Sequence, residues 1–353
     1  MSIREFVVPA LRDYEYYKAA GQDYRIILNA NEHYENFLNT RLREKFTEKM
    51  NSLDINRYPD PSATALREKF AEMIGVKPEN VMATSGSDEG ITIINSTFVD
   101  SGDVTVSCVP TFSMYSQAAV LAKGTYIGIE GLDYEMTPDI DALIRTARQK
   151  NAKIVYVCTP NNPTGYLYSK EEITRIVKET DSLVVIDEAY IQFAEGDNLD
   201  LLDFSDRVII LRTLSKAFGG AGLRVGFIVA SSEVIEYLYA SKAPYNLSVT
   251  SQAAGEVLID NHELIEEELK IIKSERSRIL RELEGRESLT VLPVNANFIT
   301  VRAPLSDTLY DRCEQRGISI RAFGDQIKDT VRITVGNKSQ NDELIEVIRE
   351  VFR

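Results

Sequence analysis

Immediately after the apolar run Val208–Arg212, the sequence reads Thr213-Leu214-Ser215-Lys216-Ala217-Phe218-Gly219-Gly220. The run is rich in β-branched residues and predicts a buried strand, so Lys216 is expected just past its carboxyl end. Partial burial at such a point lowers the pKa of a lysine and frees its amine as a nucleophile. A lone lysine in a loop is usually solvated, so the interpretation of Lys216 depends on its neighbours.

On both sides of this segment, short apolar runs alternate with amphipathic stretches. The predicted strands are Asn80–Thr84, Val104–Ser107, Lys153–Cys158, Leu183–Ile186, Val208–Arg212 and Val225–Ala230. The predicted helices between them include Glu89–Phe98, Pro138–Gln149 and Lys170–Glu179. This alternation predicts a three-layer α/β fold, in which helices cover both faces of a mostly parallel sheet. Because ligands of such sheets bind at the carboxyl ends of the strands, functional residues are expected just after each run.

The chain changes character after about Tyr245. The charged stretch Asp260–Leu283 carries apolar residues at helical spacing. Shorter predicted elements follow: strands near Leu289–Leu292, Asn297–Arg302 and Val331–Val335, a helix near Leu305–Arg316 and a final helix. These elements predict a smaller α+β domain. The first 40 residues precede the α/β alternation, so we expect a large domain over 41–245 and a small domain formed by 1–40 and 246–353.

Composition excludes several classes of function. The 353 residues include 54 acidic and 40 basic side chains, a formal charge of -14, which disfavours a nucleic-acid or anionic-membrane partner. Cys108, Cys158 and Cys313 are too scattered for a disulfide framework or a metal site, which predicts reduced thiols and no bound metal. The N-terminal residues lack a signal-peptide pattern, and no apolar run reaches the roughly 18 residues of a membrane helix. We therefore expect a soluble, cytoplasmic protein.

Two other predicted strand ends carry unusual residues. Ser85-Gly86-Ser87-Asp88-Glu89-Gly90 opens an apolar helix. Its backbone N–H groups could face an anion, or Ser87 or Asp88 could be an ordinary N-cap. Asn162-Pro163-Thr164-Gly165 follows the strand Lys153–Cys158, and a specified string of four residues arises by chance in roughly one chain in five hundred of this length. The second string therefore indicates function more strongly than the first.

Charged residues follow two more of the predicted strands. Asp187 ends an apolar strand, where a carboxylate is costly to bury without a partner such as a protonated ring nitrogen. The alternative is that Asp187 caps the next segment. Arg224 offers a forked donor suited to phosphate, and Thr213 and Ser215 offer hydroxyls. The nearby Gly220-Ala221-Gly222 leads into a strand rather than a helix, which disfavours a nucleotide-dependent dehydrogenase.

In this order, the motifs resemble those of the fold-type I pyridoxal-phosphate-dependent aminotransferases, and within them most closely the histidinol-phosphate aminotransferase family. The matching strings are Leu28-Asn29-Ala30-Asn31-Glu32, Arg57-Tyr58-Pro59, Gly86-Ser87-Asp88-Glu89, Asn162-Pro163-Thr164-Gly165, Asp187-x-x-Tyr190, Thr213-Leu214-Ser215-Lys216-Ala217-Phe218, Ala221-Gly222-Leu223-Arg224-Val225-Gly226 and Arg332-Ile333-Thr334-Val335-Gly336. The resemblance implies an aspartate-aminotransferase-like fold, a homodimer and pyridoxal 5'-phosphate as cofactor. Its small-molecule partners would be an amino donor and a keto-acid acceptor.

The resemblance implies a role for each residue around the cofactor ring. Lys216 would hold the cofactor as a Schiff base and, once displaced, move a proton between the substrate and the cofactor. Asp187 would pair with the pyridinium nitrogen and keep it protonated. Tyr190 and Asn162 would hydrogen-bond the phenolic oxygen of the ring. Phe112 would stack on the ring, although a core phenylalanine is the alternative.

The resemblance implies two further sets of contacts. The cofactor phosphate would be bound by backbone N–H groups of Ser87 and Asp88, the hydroxyls of Thr213 and Ser215, the guanidinium of Arg224, and Tyr58 of the neighbouring subunit. The substrate would be bound by Arg332 as an anion clamp, with Arg321 and Asn31 as additional contacts.

The implied activity is ping-pong transamination to 2-oxoglutarate, with histidinol phosphate, of histidine biosynthesis, as the leading donor. An aromatic or other amino-acid aminotransferase, or a decarboxylase of phosphorylated amino acids on the same fold, is the alternative. A non-catalytic regulator would carry a DNA-binding module, which this sequence lacks. Two departures concern the substrate: Val8-Pro9-Ala10 stands where the family often shows Pro-Tyr, and His33-Tyr34-Glu35 replaces a usual proline.

Overall fold

The computed structural model describes residues 2–12, 23–286 and 288–352. Its strands are β1 (Ile26–Ile27), β2 (Val81–Thr84), β3 (Val104–Val109), β4 (Thr125–Glu130), β5 (Ile154–Cys158), β6 (Leu183–Asp187), β7 (Val208–Thr213), β8 (Gly226–Ala230), β9 (Thr290–Val291), β10 (Phe298–Arg302), β11 (Ile318–Ser319), β12 (Arg321–Ala322) and β13 (Thr330–Thr334).

The α-helices are α1 (Ile3–Phe6), α2 (Arg43–Asn51), α3 (Thr64–Ile74), α4 (Gly86–Phe98), α5 (Met114–Leu121), α6 (Ile140–Gln149), α7 (Lys170–Glu179), α8 (Leu201–Phe204), α9 (Ser232–Tyr239), α10 (Val249–Ile259), α11 (His262–Leu283), α12 (Ser306–Gln315) and α13 (Lys338–Val351). Short 3-10 helices are formed by Pro9–Leu11, Phe37–Asn39, Pro78–Asn80, Ile191–Phe193, Ala221–Leu223 and Gly324–Gln326.

The central sheet has seven strands in the order β2-β8-β7-β6-β5-β3-β4. The pairs from β7 to β4 are all parallel, whereas β8 runs antiparallel to both β7 and β2. Six strands therefore point the same way, and their carboxyl ends share one edge of the sheet. The predicted mostly parallel sheet is confirmed.

Helices cover both faces of this sheet. Residues at alternate strand positions face opposite sides. On one face, Tyr156 packs among buried residues of α4, α5 and α9. On the other, Val155 and Val157 pack with buried residues of α6 and α7. The three-layer α/β architecture predicted from the alternation is confirmed.

A four-stranded sheet, β12-β13-β10-β9, stands apart from the central sheet and is antiparallel throughout. A two-stranded parallel sheet joins β1 to β11 and ties the N-terminal part of the chain to the C-terminal part. Helices α11 and α12 pack on strands of these sheets, and both pack against α13. The boundaries of the two predicted domains stay a prediction, and residues 13–22 of the predicted small domain lie outside the described residues.

Some elements differ from the sequence expectation. The edge strand β4 was not predicted, because it is only half-buried and contains Gly128, which weakens a strand pattern. The polypeptide before the predicted helix Asp260–Leu283 forms an additional helix, α10, which packs on α2 and α3. No helix in the described ranges is long and apolar enough to cross a membrane.

Candidate active site

Lys216 lies three residues beyond the end of β7, at the carboxyl edge of the central sheet. Its Nζ donates a hydrogen bond to the carbonyl oxygen of Ala30 (3.0 Å) and lies 5.7 Å from the centroid of the Tyr190 ring. Burial and, to a smaller extent, the positive charge of Arg332 lower the pKa of Lys216 to about 8. An amine with this pKa is partly neutral near pH 7–8, as a nucleophile or proton carrier requires.

Asp187 ends the neighbouring strand β6 and is 3% exposed. Its Oδ2 accepts a hydrogen bond from the hydroxyl of Tyr115 (2.7 Å), and its Oδ1 accepts one from the backbone N–H of Ala189 (3.1 Å). Burial raises the pKa of Asp187 to about 6, while the Tyr115 hydrogen bond opposes that rise. A buried carboxylate whose hydrogen-bond donors are neutral suits a cationic partner such as a protonated ring nitrogen.

Asn162 and Tyr190 are joined to the small antiparallel sheet by side-chain hydrogen bonds. Arg332 Nη1 donates to Asn162 Oδ1, and Arg332 Nη2 donates to the carbonyl oxygen of Asn29 (2.7 Å). Asn31 Nδ2 donates to the Tyr190 hydroxyl (3.0 Å), and the Asn31 backbone N–H donates to Thr334. The segment Asn29–Asn31 therefore crosses the cleft between the two sheets. The structure brings the predicted residues Lys216, Tyr190, Asn162, Arg332 and Asn31 together.

The N-terminus of α4 lies against the side chain of Arg224. Arg224 lies in the left-handed region (φ 53°), and its Nη2 donates to Asp88 Oδ2 (2.8 Å). A Cβ on Gly86 would lie 2.5 Å from that same Nη2, and a Cβ on Gly226 would lie 2.6 Å from the Ser87 nitrogen. Both glycines therefore allow the guanidinium and the helix N-terminus to come together.

The alternative interpretation of Ser87 or Asp88 as an N-cap is wrong. The N-cap is Ser85, which makes no side-chain cap hydrogen bond, so Ser87 and Asp88 lie within the first turn of α4. Backbone N–H groups in the first turn of a helix have no intrahelical acceptor and are free to bind an anion. Nearby, the Thr213 hydroxyl donates to the Ser215 hydroxyl (3.0 Å), which adds two polar side chains at the end of β7.

The remaining predicted residues lie farther from Lys216 or are more exposed. Phe112 is half-buried and meets the Tyr115 ring edge-on, with centroids 5.8 Å apart. Tyr58 is 81% exposed and stacks on Tyr245, outside the hydrogen-bond network around Lys216. Arg321 pairs directly opposite Arg332 across β12 and β13.

The sequence model of the family described as aminotransferase class I and II matches residues 26–348. This chain belongs to that family. The histidinol-phosphate aminotransferase of Clostridium novyi (strain NT) is 32% identical over 98% of this chain and 97% of its own length. The enzyme of the same name from Thermoanaerobacter pseudethanolicus is 34% identical over 99% of both chains. The predicted family is confirmed.

Solved structures share the fold of this aminotransferase. The histidinol-phosphate aminotransferase of Sinorhizobium meliloti, solved in complex with pyridoxal-5'-phosphate, has a TM-score of 0.85 at 22% identity and covers 98% of both chains. The histidinol-phosphate aminotransferase of Clostridium acetobutylicum has a TM-score of 0.82 at 24% identity and covers 92% of this chain and 98% of its own. The predicted fold type is confirmed.

Two contacts of the aminotransferase site were not predicted from the sequence. Tyr115 lies 72 positions from Asp187, and its own surroundings in the sequence indicate only an apolar helix. The acceptor for Lys216 is the main-chain carbonyl of Ala30, 186 positions away. Every residue has a backbone carbonyl, so the sequence does not indicate which one accepts this hydrogen bond. The string Leu28-Asn29-Ala30-Asn31-Glu32, part of the family resemblance, was the one signal that pointed to this segment.

Proposed function

We propose that this aminotransferase uses pyridoxal 5'-phosphate to move the amino group of histidinol phosphate to 2-oxoglutarate. The proposal rests on the cluster around Tyr190. Lys216 Nζ lies 5.7 Å from the Tyr190 ring, and the charges of both Arg332 and Asp187 act on the pKa of the Tyr190 hydroxyl. A partly neutral amine thus lies beside Tyr190, and a guanidinium and a buried carboxylate are close enough to act on its hydroxyl.

The residues present fit pyridoxal phosphate. Its phosphate suits the first turn of α4 with Arg224, where Gly86 leaves the space that a Cβ would fill. Its ring nitrogen suits Asp187, and its phenolic oxygen suits the polar groups of Tyr190 and Asn162. When bound, the cofactor supplies an aldehyde that captures an amine and a ring that accepts electrons from the substrate Cα.

The chain's own residues would divide the remaining work. Lys216, with a pKa of about 8, can take a proton from the substrate and return it at a neighbouring atom, because both of its protonation states are populated near neutral pH. The Asp187 carboxylate is buried, and its negative charge favours the protonated form of the ring nitrogen that it would contact. The carbonyl of Ala30, in the segment Asn29–Asn31, accepts a hydrogen bond from the amine of Lys216 and helps to fix its position.

Substrate recognition is assigned to the two facing arginines. Arg321 and Arg332 are directly opposed on β12 and β13, and each guanidinium carbon lies 5.8 Å from the centroid of the Phe323 ring. Two guanidiniums near one another suit a phosphate dianion, which a forked donor binds through paired hydrogen bonds. Relatives bearing the name histidinol-phosphate aminotransferase over nearly the whole chain support the same donor.

A panel of amino donors tests the proposed substrate. Histidinol phosphate, histidinol, aromatic amino acids and O-phosphorylated amino acids are each incubated with 2-oxoglutarate, and glutamate and carbon dioxide are measured. We expect kcat/KM for histidinol phosphate to exceed that for histidinol by about 100-fold, because the phosphate adds charge-assisted hydrogen bonds. Faster turnover of an aromatic amino acid, or release of carbon dioxide from a phosphorylated one, would contradict the assignment in favour of the corresponding alternative.

We also propose a cytoplasmic homodimer in which Tyr58 reaches the cofactor phosphate of the neighbouring subunit. Support comes from the exposure of Tyr58 and Ile55, 81% and 75%, which leaves an apolar surface available to a second copy. Mixing the Lys216→Ala and Tyr58→Ala variants tests this arrangement. If Tyr58 acts across the interface, mixed dimers contain one intact site and regain activity that neither variant has alone. Failure to regain activity in verified mixed dimers would overturn it.

A further inference from the structure

We infer that Tyr115 is a positioning residue that holds Asp187 ionised and correctly oriented for the ring nitrogen of the cofactor. The inference rests on the proposed function, because it concerns how Asp187 meets the bound ring. It assigns a role to a residue that none of the sequence motifs contains.

Two hydrogen-bond donors fix the Asp187 carboxylate. The Tyr115 hydroxyl donates to Asp187 Oδ2 at 2.7 Å, while the backbone N–H of Ala189 donates to Oδ1 at 3.1 Å. Each carboxylate oxygen therefore has one fixed donor, and rotation of the carboxylate would break both hydrogen bonds. A charged acceptor makes such hydrogen bonds shorter and stronger than neutral ones.

Tyr115 is itself held rigidly in the core. Its side chain is completely buried and stacks on Tyr156, with ring centroids 4.4 Å apart and planes 7° from parallel. The Tyr156 hydroxyl accepts a hydrogen bond from Asn95 Nδ2 (2.5 Å), and this amide also donates to the Ile91 carbonyl (2.8 Å) within α4. A series of contacts thus connects Asp187 to the helix whose N-terminus is assigned to the phosphate. A rigid support of this kind fixes the carboxylate before the cofactor arrives.

Tyr115 also opposes the groups that favour the protonated form of Asp187. The titratable groups acting on Asp187 from the elements around it are Asp88 of α4, Tyr115 of α5, Tyr156 and Cys158 of β5, and Glu188 and Tyr190 after β6. Asp88 and Glu188 raise the pKa of Asp187, as burial does, although Glu188 is itself paired with Arg212. The Tyr115 hydrogen bond acts in the opposite direction. Because the resulting pKa is about 6, loss of this donor would bring protonation of Asp187 into the neutral range.

The test begins with the cofactor-free protein, so that its result does not depend on turnover. Tyr115→Phe keeps the ring and its stacking but removes the hydroxyl. Carbon-13 NMR of protein labelled at the aspartate carboxyl carbon, with Asp187→Asn to assign the signal, follows the titration of Asp187. We expect the pKa of Asp187 to rise by about one unit or more. The matched control is Tyr168→Phe, which removes another buried hydroxyl, one that lies beside Cys108.

The second measurement uses the holoenzyme. Tyr115→Phe should lower kcat at pH 7 about tenfold, move the acidic limb of the kcat profile to higher pH and leave the donor KM nearly unchanged. In the Asp187→Asn background the same substitution should have almost no further effect, because the carboxylate through which it acts is gone. Additive losses in the double variant would overturn the inference.

A second variant changes the pKa of Asp187 in the opposite direction. Site-specific 3-fluorotyrosine at position 115 keeps the ring and the hydroxyl but makes the donor more acidic, so the pKa of Asp187 should fall. The 3-fluorotyrosine variant still tests the inference if Tyr115→Phe does not fold. If neither replacement moves the pKa of Asp187 while wild type takes up pyridoxal phosphate, this inference alone fails. If wild type takes up no pyridoxal phosphate, both the proposed function and this inference fail.

Discussion

The two sides of the cleft are built from different kinds of structure. On the side that we assign to the cofactor, Asp187 and Lys216 lie at or just past the ends of the adjacent strands β6 and β7, deep in a sheet whose central strands are almost wholly buried. On the side that we assign to the substrate, Arg332 and the Asn29 carbonyl that it contacts are 303 positions apart in the chain. The contacts of this second side form only when the N-terminal segment lies on the small antiparallel sheet.

This structural difference indicates how far each side of the cleft tolerates changes in sequence. Residues at the ends of buried strands cannot move without disturbing the sheet, so the cofactor side is rigid. The substrate side depends on side-chain and backbone hydrogen bonds between segments. Each contributes about 0.5–1.5 kcal/mol, or about 1.5–3 kcal/mol where a charged group such as Arg332 takes part. Changes in the N-terminal segment can therefore alter the substrate without altering the cofactor. Of the two departures from the family pattern, His33-Tyr34-Glu35 closely follows Asn29–Asn31 in the sequence, and Val8-Pro9-Ala10 lies farther toward the N-terminus.

The largest expected effect is on the cofactor side. Lys216→Ala should lower transamination by about 100- to 10,000-fold, the range over which a positioned acid–base group acts. Steady-state rates of the purified variant, with bound cofactor measured separately, check this. Lys273→Ala is the matched control, because Lys273 also donates to an alanine carbonyl, that of Ala194, but from α11. Equal rates for Lys216→Ala and wild type would show that the mechanism is wrong.

The junction between the two sides gives the next effect. Gly165 has φ 72°, and a Cβ there would lie 1.9 Å from the carbonyl oxygen of Pro293. Gly165→Ala should destabilise the protein by about 3 kcal/mol or more, through overpacking and strain, measured by urea unfolding. Gly196→Ala is the control, since Gly196 has φ 75° but nothing within 4 Å of a Cβ. It should cost only about 1 kcal/mol. Equal losses would show that the close contact with Pro293 is unimportant.

A substitution on the substrate side separates the two functions. Arg332→Lys loses the forked contacts with Asn162 and Asn29, so kcat/KM for the donor should fall by about 10- to 100-fold. The affinity for pyridoxal phosphate, measured by fluorescence titration, should stay unchanged. Arg302→Lys, on neighbouring β10, serves as the control. Loss of cofactor affinity in Arg332→Lys would mean that the two sides are not separable.

A substitution of Arg224 should affect the cofactor and not the amino donor. Arg224→Ala should weaken retention of pyridoxal phosphate by about tenfold and change kcat little at saturating cofactor, because one charge-assisted contact with the phosphate is lost. Dialysis followed by spectroscopic titration measures retention. Arg175→Ala, which removes an exposed arginine paired with Asp141 and Glu179, should have no effect. An unchanged dissociation constant for Arg224→Ala would remove Arg224 from the phosphate site.

The smallest effect concerns pH and the cofactor-free protein. The pKa of the Lys216 amine is about 8 in the folded protein and 10.5 in the unfolded chain. Between these two pH values the unfolded chain therefore binds more protons than the folded protein. Stability should therefore rise with pH across that window, by about 1 kcal/mol after allowance for partial exposure. Lys216→Met should lack this component, which the difference between the two urea-unfolding profiles at several pH values isolates. Identical slopes would show that Lys216 is not desolvated.

Much of the cofactor side was predictable from sequence because its residues follow buried strands in short strings. Asn162-Pro163-Thr164-Gly165 and the segment around Lys216 each combine turn residues with polar groups that a turn does not need. The topology then brings the strand ends to one edge. The edge strand β4 was missed because it is half-exposed and interrupted by Gly128, so that neither burial nor alternation marks it clearly.

The contacts between the two sides could not be predicted. The Lys216 acceptor is a backbone oxygen, and the donor to Asp187 comes from a tyrosine that looks like an ordinary core residue of α5. Both are tertiary contacts over long separations, and local patterns carry no information about them. The family resemblance named the N-terminal segment but not the contacts that it makes.

The most direct test of the account is the attachment point of the cofactor. Purified protein is loaded with pyridoxal phosphate, reduced with borohydride, digested and analysed by mass spectrometry. We expect the phosphopyridoxyl group on Lys216 alone, and none on any lysine of Lys216→Ala. A reduced adduct on a different lysine, or no adduct in protein that has retained its fold, would contradict the account.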